Sequence, residues 1–389
     1  MIKAPSDWQV EQLGNTKIAQ IIMGQSPASS SYNDKGEGLP FFQGKKDFGK
    51  IYPVPTEYCS EPKKIALEND ILMSVRAPVG ATNLASEECC IGRGLAAIRA
   101  NNSVLSTGYL RYFLLLNEQK ISDRSRGSTF ASINKKDLEE ISIPFPLLPQ
   151  QQKIVSVLDT ASQLVEKQKA LIEKYDLFLK SKFIEMFGDP VVNPMGWEKV
   201  VLGDLIYSAK DGPHVSPQYA DEGIPFLSTR HIKPNLIVWE DLKYVSNEIA
   251  KTHWKKCKPE RGDILYSKGG TTGIAARVNT DREFAVWVHV ALLKINHDRV
   301  NTIWLERMLN ASYCYAQSQH LTRGIVNRDL GLKQMVKISM YHPPRRLQEG
   351  YAQIVEQVET IQIKEKKKLE KMQTLYDALM QRAFNGEIQ

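Results

Sequence analysis

Polar and basic side chains occur in short loops that directly follow apolar runs of strand type. Arg, Lys, Asn and Gln are suited to reading base edges, whereas Ser, Thr and Lys are suited to holding phosphates. A glycine-rich polar loop after a buried strand can also bring the backbone close to a phosphate. In the first third of the chain the candidates are Gln43, Lys45, Lys46, Ser74 and Arg76. For any single residue, an ordinary solvated turn is an equal alternative.

The second half of the chain carries the same kind of loop at the same offsets. The corresponding candidates there are Ser228, Thr229, Arg230, Lys268, Thr271 and Thr272. A third pair of polar loops contributes Arg126, Ser128, Thr129, Arg323 and Asn327. By contrast, the lysines around Trp254 have helical spacing, which favours a solvated helix face over a contact with nucleic acid.

Catalytic machinery is not evident in the sequence. Pro343-Pro344 follows His342, which does not match the Asn/Asp-Pro-Pro-aromatic motif of an adenine methyltransferase, and Gly44-Lys45 does not complete a phosphate-binding loop. His253 and Cys257 stand four residues apart, but no second ligand pair follows, so a plain helix is favoured over a zinc site. We therefore expect neither catalysis, nor a cofactor, nor a metal in this chain.

Length and composition indicate a globular protein of two or three domains. The chain has 389 residues, 42% of them hydrophobic, and residues 188–345 carry 21 Lys and Arg against 16 Asp and Glu. A mild basic excess is compatible with phosphate contacts but is weak evidence alone. The five cysteines form no C-x-x-C pair, and no apolar run approaches the length of a membrane span. The expectation is a cytoplasmic protein without a membrane partner.

The sequence repeats itself. Pro40-Phe41-Phe42 corresponds to Pro225-Phe226-Leu227, and Asp70-Ile71-Leu72 corresponds to Asp263-Ile264-Leu265. A Trp-containing start and a Gly/Thr-rich turn before the closing prolines are shared as well. Landmarks in the same order predict a duplicated domain, which we call the first head (1–150) and the second head (188–345). Short strand-type runs punctuated by Gly, Pro and Asn predict an α+β fold for each head.

A long helix is predicted after each head, over 151–187 and 346–389. The first has no Pro or Gly, and its apolar residues follow the alternating spacing of four and three that is typical of a coiled-coil seam. The main seam residues of the first helix are Ile154, Leu158, Val165, Ile172 and Leu179. Those of the second helix are Ile354, Val358, Ile361, Met372, Leu375 and Leu379, with a polar stretch from Lys364 to Lys368.

The two helices can pair with each other within one chain. A seam with another chain is the plain alternative for a single heptad helix, but two copies, each following a copy of the same head, favour internal pairing. Because each head precedes its own helix, antiparallel pairing would send the heads to opposite ends with pseudo-two-fold symmetry. The expected fold is therefore two similar mixed α/β domains separated by an antiparallel coiled coil.

Two stretches resemble a known family. Ile143-Pro-Phe-Pro-Leu-Leu-Pro149 with the heptads and Phe183 to Pro190 resembles the central conserved region of type I restriction-modification specificity subunits. Tyr351 to Val355 with Ala383 to Ile388 resembles their C-terminal conserved region, and Pro40 to Lys45 and Cys90 to Arg99 resemble their target recognition domains. The polar middle of the second seam departs from a regular heptad pattern.

The resemblance implies that each head binds one half of a split site in double-stranded DNA and that the helices set the gap. It also implies docking of two methyltransferase subunits and of restriction/translocase subunits. Two other hypotheses remain open at this point: a coiled-coil scaffold whose heads bind proteins, and an orphan protein that binds DNA without methyltransferase partners.

Overall fold

The computed structural model of the chain describes residues 5–125, 131–325 and 327–388. It forms two compact units. The first contains the residues up to Ala170 together with those from Lys367 onward, and the second contains Leu171–Lys366. None of the helices in the described ranges combines the length and hydrophobicity that crossing a bilayer requires.

The strands of the first head lie in three sheets. In chain order they are β1 (Gln9–Gln12), β2 (Ala19–Met23), β3 (Tyr32–Asn33), β4 (Leu39–Phe42), β5 (Tyr58–Cys59), β6 (Ile65–Ala66), β7 (Ile71–Ser74), β8 (Thr82–Leu84), β9 (Cys89–Ile91), β10 (Leu95–Ala100) and β11 (Ser142–Phe145). The sheet orders are β1-β11, β2-β10-β7-β8 and β3-β5-β4-β9-β6. The pair β4 and β9 is parallel, whereas the other pairs are antiparallel.

The second head contains β12 (Glu198–Val201), β13 (Ile206–Asp211), β14 (Ile224–Leu227), β15 (Ile232–Lys233), β16 (Leu236–Ile237), β17 (Lys243–Val245), β18 (Ile264–Ser267), β19 (Ala275–Arg277), β20 (Ala285–Val286), β21 (Val290–Ile295) and β22 (Ser339–His342). Its sheets have the orders β12-β22, β13-β21-β18-β19, β17-β14-β20 and β15-β16. Again one pair, β14 and β20, is parallel.

The helices in chain order are α1 (Thr107–Leu116), α2 (Glu118–Ser122), α3 (Lys135–Glu139), α4 (Leu148–Phe187), α5 (Asn247–Trp254), α6 (Thr302–Asn310), α7 (Ser312–Leu321), α8 (Leu332–Met335) and α9 (Arg345–Phe384). Local capping explains several starts. The Ser246 side chain accepts a hydrogen bond from the backbone N–H of Ile249, and the Asn301 side chain accepts from that of Ile303.

The two heads share two of their sheets, as the repeated landmarks predict, whereas the remaining strands form one five-stranded sheet in the first head and two smaller sheets in the second. In each head, the first and last strands pair with each other, and a four-stranded antiparallel sheet has corresponding strands in the same spatial order. The strand with Phe41 and the strand with Phe226 each have one parallel neighbour. The α+β class, the two similar heads and the two long helices are therefore confirmed.

The long helices α4 and α9 run antiparallel to each other within each unit. In the first unit, Gln150 near the start of α4 donates a hydrogen bond to the carbonyl of Ile388, 3.3 Å away. In the second unit, the Tyr351 hydroxyl donates to the carbonyl of Leu179 (3.1 Å), and the Gln362 amide donates to Asp176 (2.9 Å). In each unit, residues near the start of one helix contact residues toward the end of the other, as expected for antiparallel helices.

Most of the residues predicted for the seam of α4 are buried. Ile154, Leu158, Val165 and Leu179 are at most 4% exposed, and Ile172 is half-buried. The polar position Gln168 is also buried, at 5% exposure.

Two residues predicted for the seam of α9 are exposed, and in each case the next residue along the chain faces inward instead. Ile361 and Leu375 are 39% and 60% exposed and lie outside the seam, so their assignment to it was wrong. The inward positions are their neighbours Gln362, which is 7% exposed, and Tyr376. Val358 is buried as predicted, whereas Ile354, Met372 and Leu379 are half-buried at its edges. The hydrogen bond from Gln362 to Asp176 of α4 lies at one of these inward positions.

Two buried glutamines attach each head to the start of its helix. Gln151 of α4 accepts a hydrogen bond from the Ser106 backbone and donates to the Pro146 carbonyl, at 2.8 Å each. Gln348 of α9 accepts from the Asn301 backbone and donates to the Pro343 carbonyl, also at 2.8 Å each. Both side chains are fully buried. The same arrangement therefore fixes α4 to the loop before α1 in the first head and α9 to the loop before α6 in the second head.

The revised α9 seam predicts unequal costs for two truncations. Val355→Ala, at a site with 0% exposure, should lower the free energy of unfolding by about 1–3 kcal/mol because it leaves a cavity. Ile361→Ala, at the exposed alternative, should change it by less than about 0.5 kcal/mol. Urea unfolding of both variants measures the difference. A larger loss for Ile361→Ala would restore the seam expected from the sequence.

Candidate nucleic-acid interface

Each head has a cleft at the end of the strand that pairs in parallel. The first cleft is lined by Ser26, Ser29, Tyr32, Gln43, Arg76 and Arg93. The second cleft is lined by Tyr219, Phe226, Ser228, Arg230, His231, Lys243 and Trp287. Gln43 and Ser228 stand at the same place, directly after β4 and β14. The duplication thus places a polar, aromatic and basic surface at corresponding points of both heads.

A tyrosine packs on the strand phenylalanine in both clefts. The ring centroids of Tyr32 and Phe41 are 4.7 Å apart, and those of Tyr219 and Phe226 are 6.1 Å apart. Such aromatic pairs hold the exposed edge of the tyrosine in a defined position. In the second cleft the Lys243 ammonium lies 4.2 Å from the centroid of Tyr219, a cation–π contact that keeps the charge at the surface.

A glycine allows the backbone to close tightly beneath each cleft. A Cβ at Gly24 would lie 2.1 Å from the carbonyl oxygen of Gly92, and one at Gly212 would lie 2.0 Å from that of Val286. Gly24 directly follows the edge strand β2, and Gly212 directly follows the edge strand β13. Only glycine permits this approach. The loop with Ser26 is thereby held against the loop with Arg93, whose backbone N–H donates to the Ser26 hydroxyl at 3.3 Å.

Two arginines converge on the first cleft from different loops. Arg76 follows β7 and Arg93 follows β9, and both are exposed. Over the residues that the structure describes, neither guanidinium forms an ion pair with a carboxylate. Two free guanidinium groups beside a cleft offer fork-shaped donors to phosphates or to guanine.

Internal contacts shape the polar turn that carries Gln43. Its backbone N–H donates to the Asp47 carboxylate (2.6 Å), and its amide nitrogen donates to Glu57 (3.0 Å). Asp47 is buried at 8% exposure, whereas Lys45 and Lys46 of the same turn point to solvent. The turn is therefore built to present the two lysines, while Gln43 is partly engaged within the head.

The corresponding turn in the second head is organised by a buried histidine. His231 is 2% exposed, and its Nδ1 accepts a hydrogen bond from the Ser228 backbone at 2.9 Å. Burial lowers the pKa of His231, which favours the neutral imidazole. Arg230 donates to the Asp241 carbonyl and is exposed, and Thr229 is half-buried.

Several predicted loop residues are occupied inside the fold. Ser74 is 2% exposed and its hydroxyl donates to the Arg76 carbonyl at 2.9 Å. Lys268 is 5% exposed, and its ammonium lies 3.0 Å from Asp329 and 3.5 Å from Asp211. In this structure these side chains hold their loops in place rather than offering donors to a ligand.

The remaining candidates lie at the surface or outside the described ranges. Thr272 is 1% exposed and its hydroxyl lies 3.0 Å from that of Thr322, whereas the neighbouring Thr271 is exposed. Arg323 and Asn327 are exposed in a loop that the Arg323–Asp329 backbone pair closes. Arg126, Ser128 and Thr129 lie outside the described residues.

Two lysines of the basic run around Trp254 are paired with acidic groups. The Lys256 ammonium lies 2.6 Å from Asp211, and that of Lys258 lies 3.1 Å from Glu283. Cys257 is buried, which raises the pKa of its thiol to about 12. Within the described part of the chain, no group of three or more His, Cys, Asp and Glu residues could hold a metal ion.

Sequence reasoning missed the residues that complete both clefts. Tyr32, Arg93, Tyr219, Lys243 and Trp287 were not among the candidates, although all five line a cleft. The signal was available in part, because each tyrosine precedes a Pro-Phe strand in both copies of the repeat. Arg93 and Trp287 reach the clefts only through the parallel pairs β4–β9 and β14–β20.

Comparison with known proteins gives a consistent family. The model of the type I restriction modification DNA specificity domain matches residues 5–174 and 194–373. The putative type I restriction enzyme MjaX specificity subunit of Methanocaldococcus jannaschii is 49% identical over 173 residues, which cover 44% of this chain and only 41% of that relative. The MjaIX specificity subunit of the same organism is 25% identical over 99% of this chain and 94% of its own length.

A solved structure has the same fold. The type I restriction-modification S subunit from M. genitalium superposes with a TM-score of 0.58 over 97% of this chain and 96% of that one, at 15% identity. This likeness supports the arrangement of two heads and two long helices. Because the family model covers both heads and much of both helices, the chain belongs to the type I restriction-modification DNA specificity family.

Proposed function

We propose that this chain is the DNA-specificity subunit of a cytoplasmic type I restriction-modification complex. Each head binds one half of a split duplex site, and the α4–α9 pair sets the unread spacer. The observation that carries the proposal is the duplicated cleft, which presents aromatic and basic side chains at corresponding points of two heads of similar fold. The chain contributes recognition, and the chemistry belongs to partner subunits.

The partners follow from the family rather than from a contact in the structure. Relatives that match nearly the full chain carry the name of type I restriction enzyme specificity subunits. We therefore infer that two methyltransferase subunits dock on this chain and that restriction/translocase subunits join them. Co-expression with the neighbouring methyltransferase, followed by a pull-down, separates this assembly from an orphan DNA-binding protein.

Binding to DNA should fall steeply with salt. Arg76, Arg93, Lys45 and Lys46 in the first head are exposed, and phosphates that such groups neutralise release condensed counterions. For the purified complex and a duplex that carries its recognition site, a plot of the logarithm of affinity against the logarithm of salt concentration should be linear with a negative slope of several units. Absence of binding at low salt would favour the scaffold hypothesis.

Loss of a cleft cation should affect one half-site only. Arg93→Ala is expected to weaken binding by about ten- to a hundredfold, because a bidentate contact is worth about 1–3 kcal/mol. The second half-site should stay unchanged in a selection from randomised duplexes. The matched control is Lys136→Ala, which removes an 82% exposed positive charge from α3 of the same head. An equal loss in both variants would assign the effect to net charge rather than to the cleft.

A longer helix pair should lengthen the spacer. One heptad inserted between Ala170 and Leu171, and another between Lys366 and Lys367, keeps the seam period and adds about 10 Å, or roughly three base pairs. Methylation mapping should then return the same half-sites with a longer spacer. The added heptads also rotate one head about the duplex, so weaker binding is expected alongside. New half-sites with the original spacer would contradict the proposal that the helix pair sets the spacer length.

A further inference from the structure

An ionic cluster joins the second head to helix α9. The Glu359 carboxylate on α9 accepts hydrogen bonds from two guanidinium groups, one on each oxygen. Arg307 of α6 donates to one oxygen at 2.9 Å, and Arg277 of β19 donates to the other. Arg277 also donates through its backbone N–H to Glu306 of α6 at 2.7 Å. Two positive and two negative side chains thus form one connected group.

Most of the cluster is shielded from solvent, although the Glu359 side chain itself is 24% exposed. Glu306 is fully buried, and the side chains of Arg277 and Arg307 are 13% and 14% exposed. Burial raises the pKa of Glu306, while the neighbouring arginines oppose that rise. Buried ion pairs contribute little net stability because desolvation offsets their attraction, but breaking one leaves an unpaired charge in a low-dielectric environment. The main effect of the cluster is therefore on the orientation of the groups it joins, rather than on the free energy of unfolding.

Apolar packing alone would leave the orientation of the head on the helix loosely defined. Trp304, Val355 and Val358 belong to the core shared by the second head and α9, and such contacts have no fixed direction. A carboxylate held by two guanidinium groups from different elements tolerates little rotation, because each donor must point at its own oxygen. The first head is linked to α4 by different groups: the Tyr112 hydroxyl donates to Asp159 at 2.5 Å, and Lys50 forms an ion pair with Glu166.

We propose that Glu359 is a positioning residue that fixes the angle of the second head on α9 and thereby restricts the protein to one spacer length. The inference rests on the proposed function. A stiff link concentrates the second head at one distance from the first half-site, whereas a loose link spreads the same binding over several distances. Glu359 does not line either cleft, so base recognition by the heads is independent of it.

The test is a selection from a randomised duplex library with the purified full-length complex. For the wild type, the recovered sites should share two half-sites and one spacer. For Glu359→Gln, which keeps size and removes the charge, the half-sites should persist while the share of sites with the main spacer falls about threefold as neighbouring spacers appear. Glu356→Gln is the control, because Glu356 is exposed on the same helix. It should reproduce the wild-type result.

Other outcomes overturn the inference. A Glu359→Gln complex that keeps the single spacer, or that loses affinity equally for every spacer, would show a merely structural role. A changed second half-site would place the cluster in base recognition. Arg307→Lys, which keeps the charge and loses the fork, gives the same readout if the first variant does not fold. A wild type that returns no split site would instead refute the proposed function.

Discussion

Phe384, near the end of the chain, packs against Tyr109 and Phe113 of the first head at ring-centroid distances of 5.0 and 5.8 Å. In the second unit Phe187 of α4 packs against Trp304 of the head at 6.2 Å. Each head thus completes its core with residues from the long helices. The heads therefore need the long helices to bury their apolar cores, and the C-terminal ends of the long helices are in turn held by packing against the heads. Because the core is shared, cooperative folding couples recognition surface and spacer within each unit.

Polar contacts add direction to this apolar core. Gln151 and Gln348 each join a head to the start of a long helix by accepting a backbone hydrogen bond and donating to backbone carbonyls, two for Gln151 and one for Gln348. A buried amide without these partners would be costly, which makes the position of the loop specific. The second head carries the further cluster around Glu359, whereas the first head is linked to α4 by the Tyr112 hydroxyl and by an ion pair between Lys50 and Glu166. The two copies therefore share the glutamine and differ in the groups that form their other polar links.

Duplication preserves the scaffold of the clefts and lets their chemistry differ. The supporting tyrosine and phenylalanine occur in both heads, as does the close glycine under the cleft. The first cleft presents two exposed arginines from separate loops, while the second presents Lys243 over an aromatic ring with Trp287 beside it. The same backbone can then display different donors, which is how two heads of one fold would read different half-sites.

The sequence by itself determined the duplication, the α+β class and the two heptad helices, because these depend on order and periodicity along the chain. It did not determine the register of α9, where Ile361 was assigned to the seam but Gln362, which donates to Asp176 of the facing helix, is the buried position. Nor did it determine the clefts. Tyr32 and Arg93 are far apart in the chain, and only the pairing of β4 with β9 brings them together. Periodicity is local information, whereas a seam partner and a cleft wall are long-range contacts that only the tertiary structure decides.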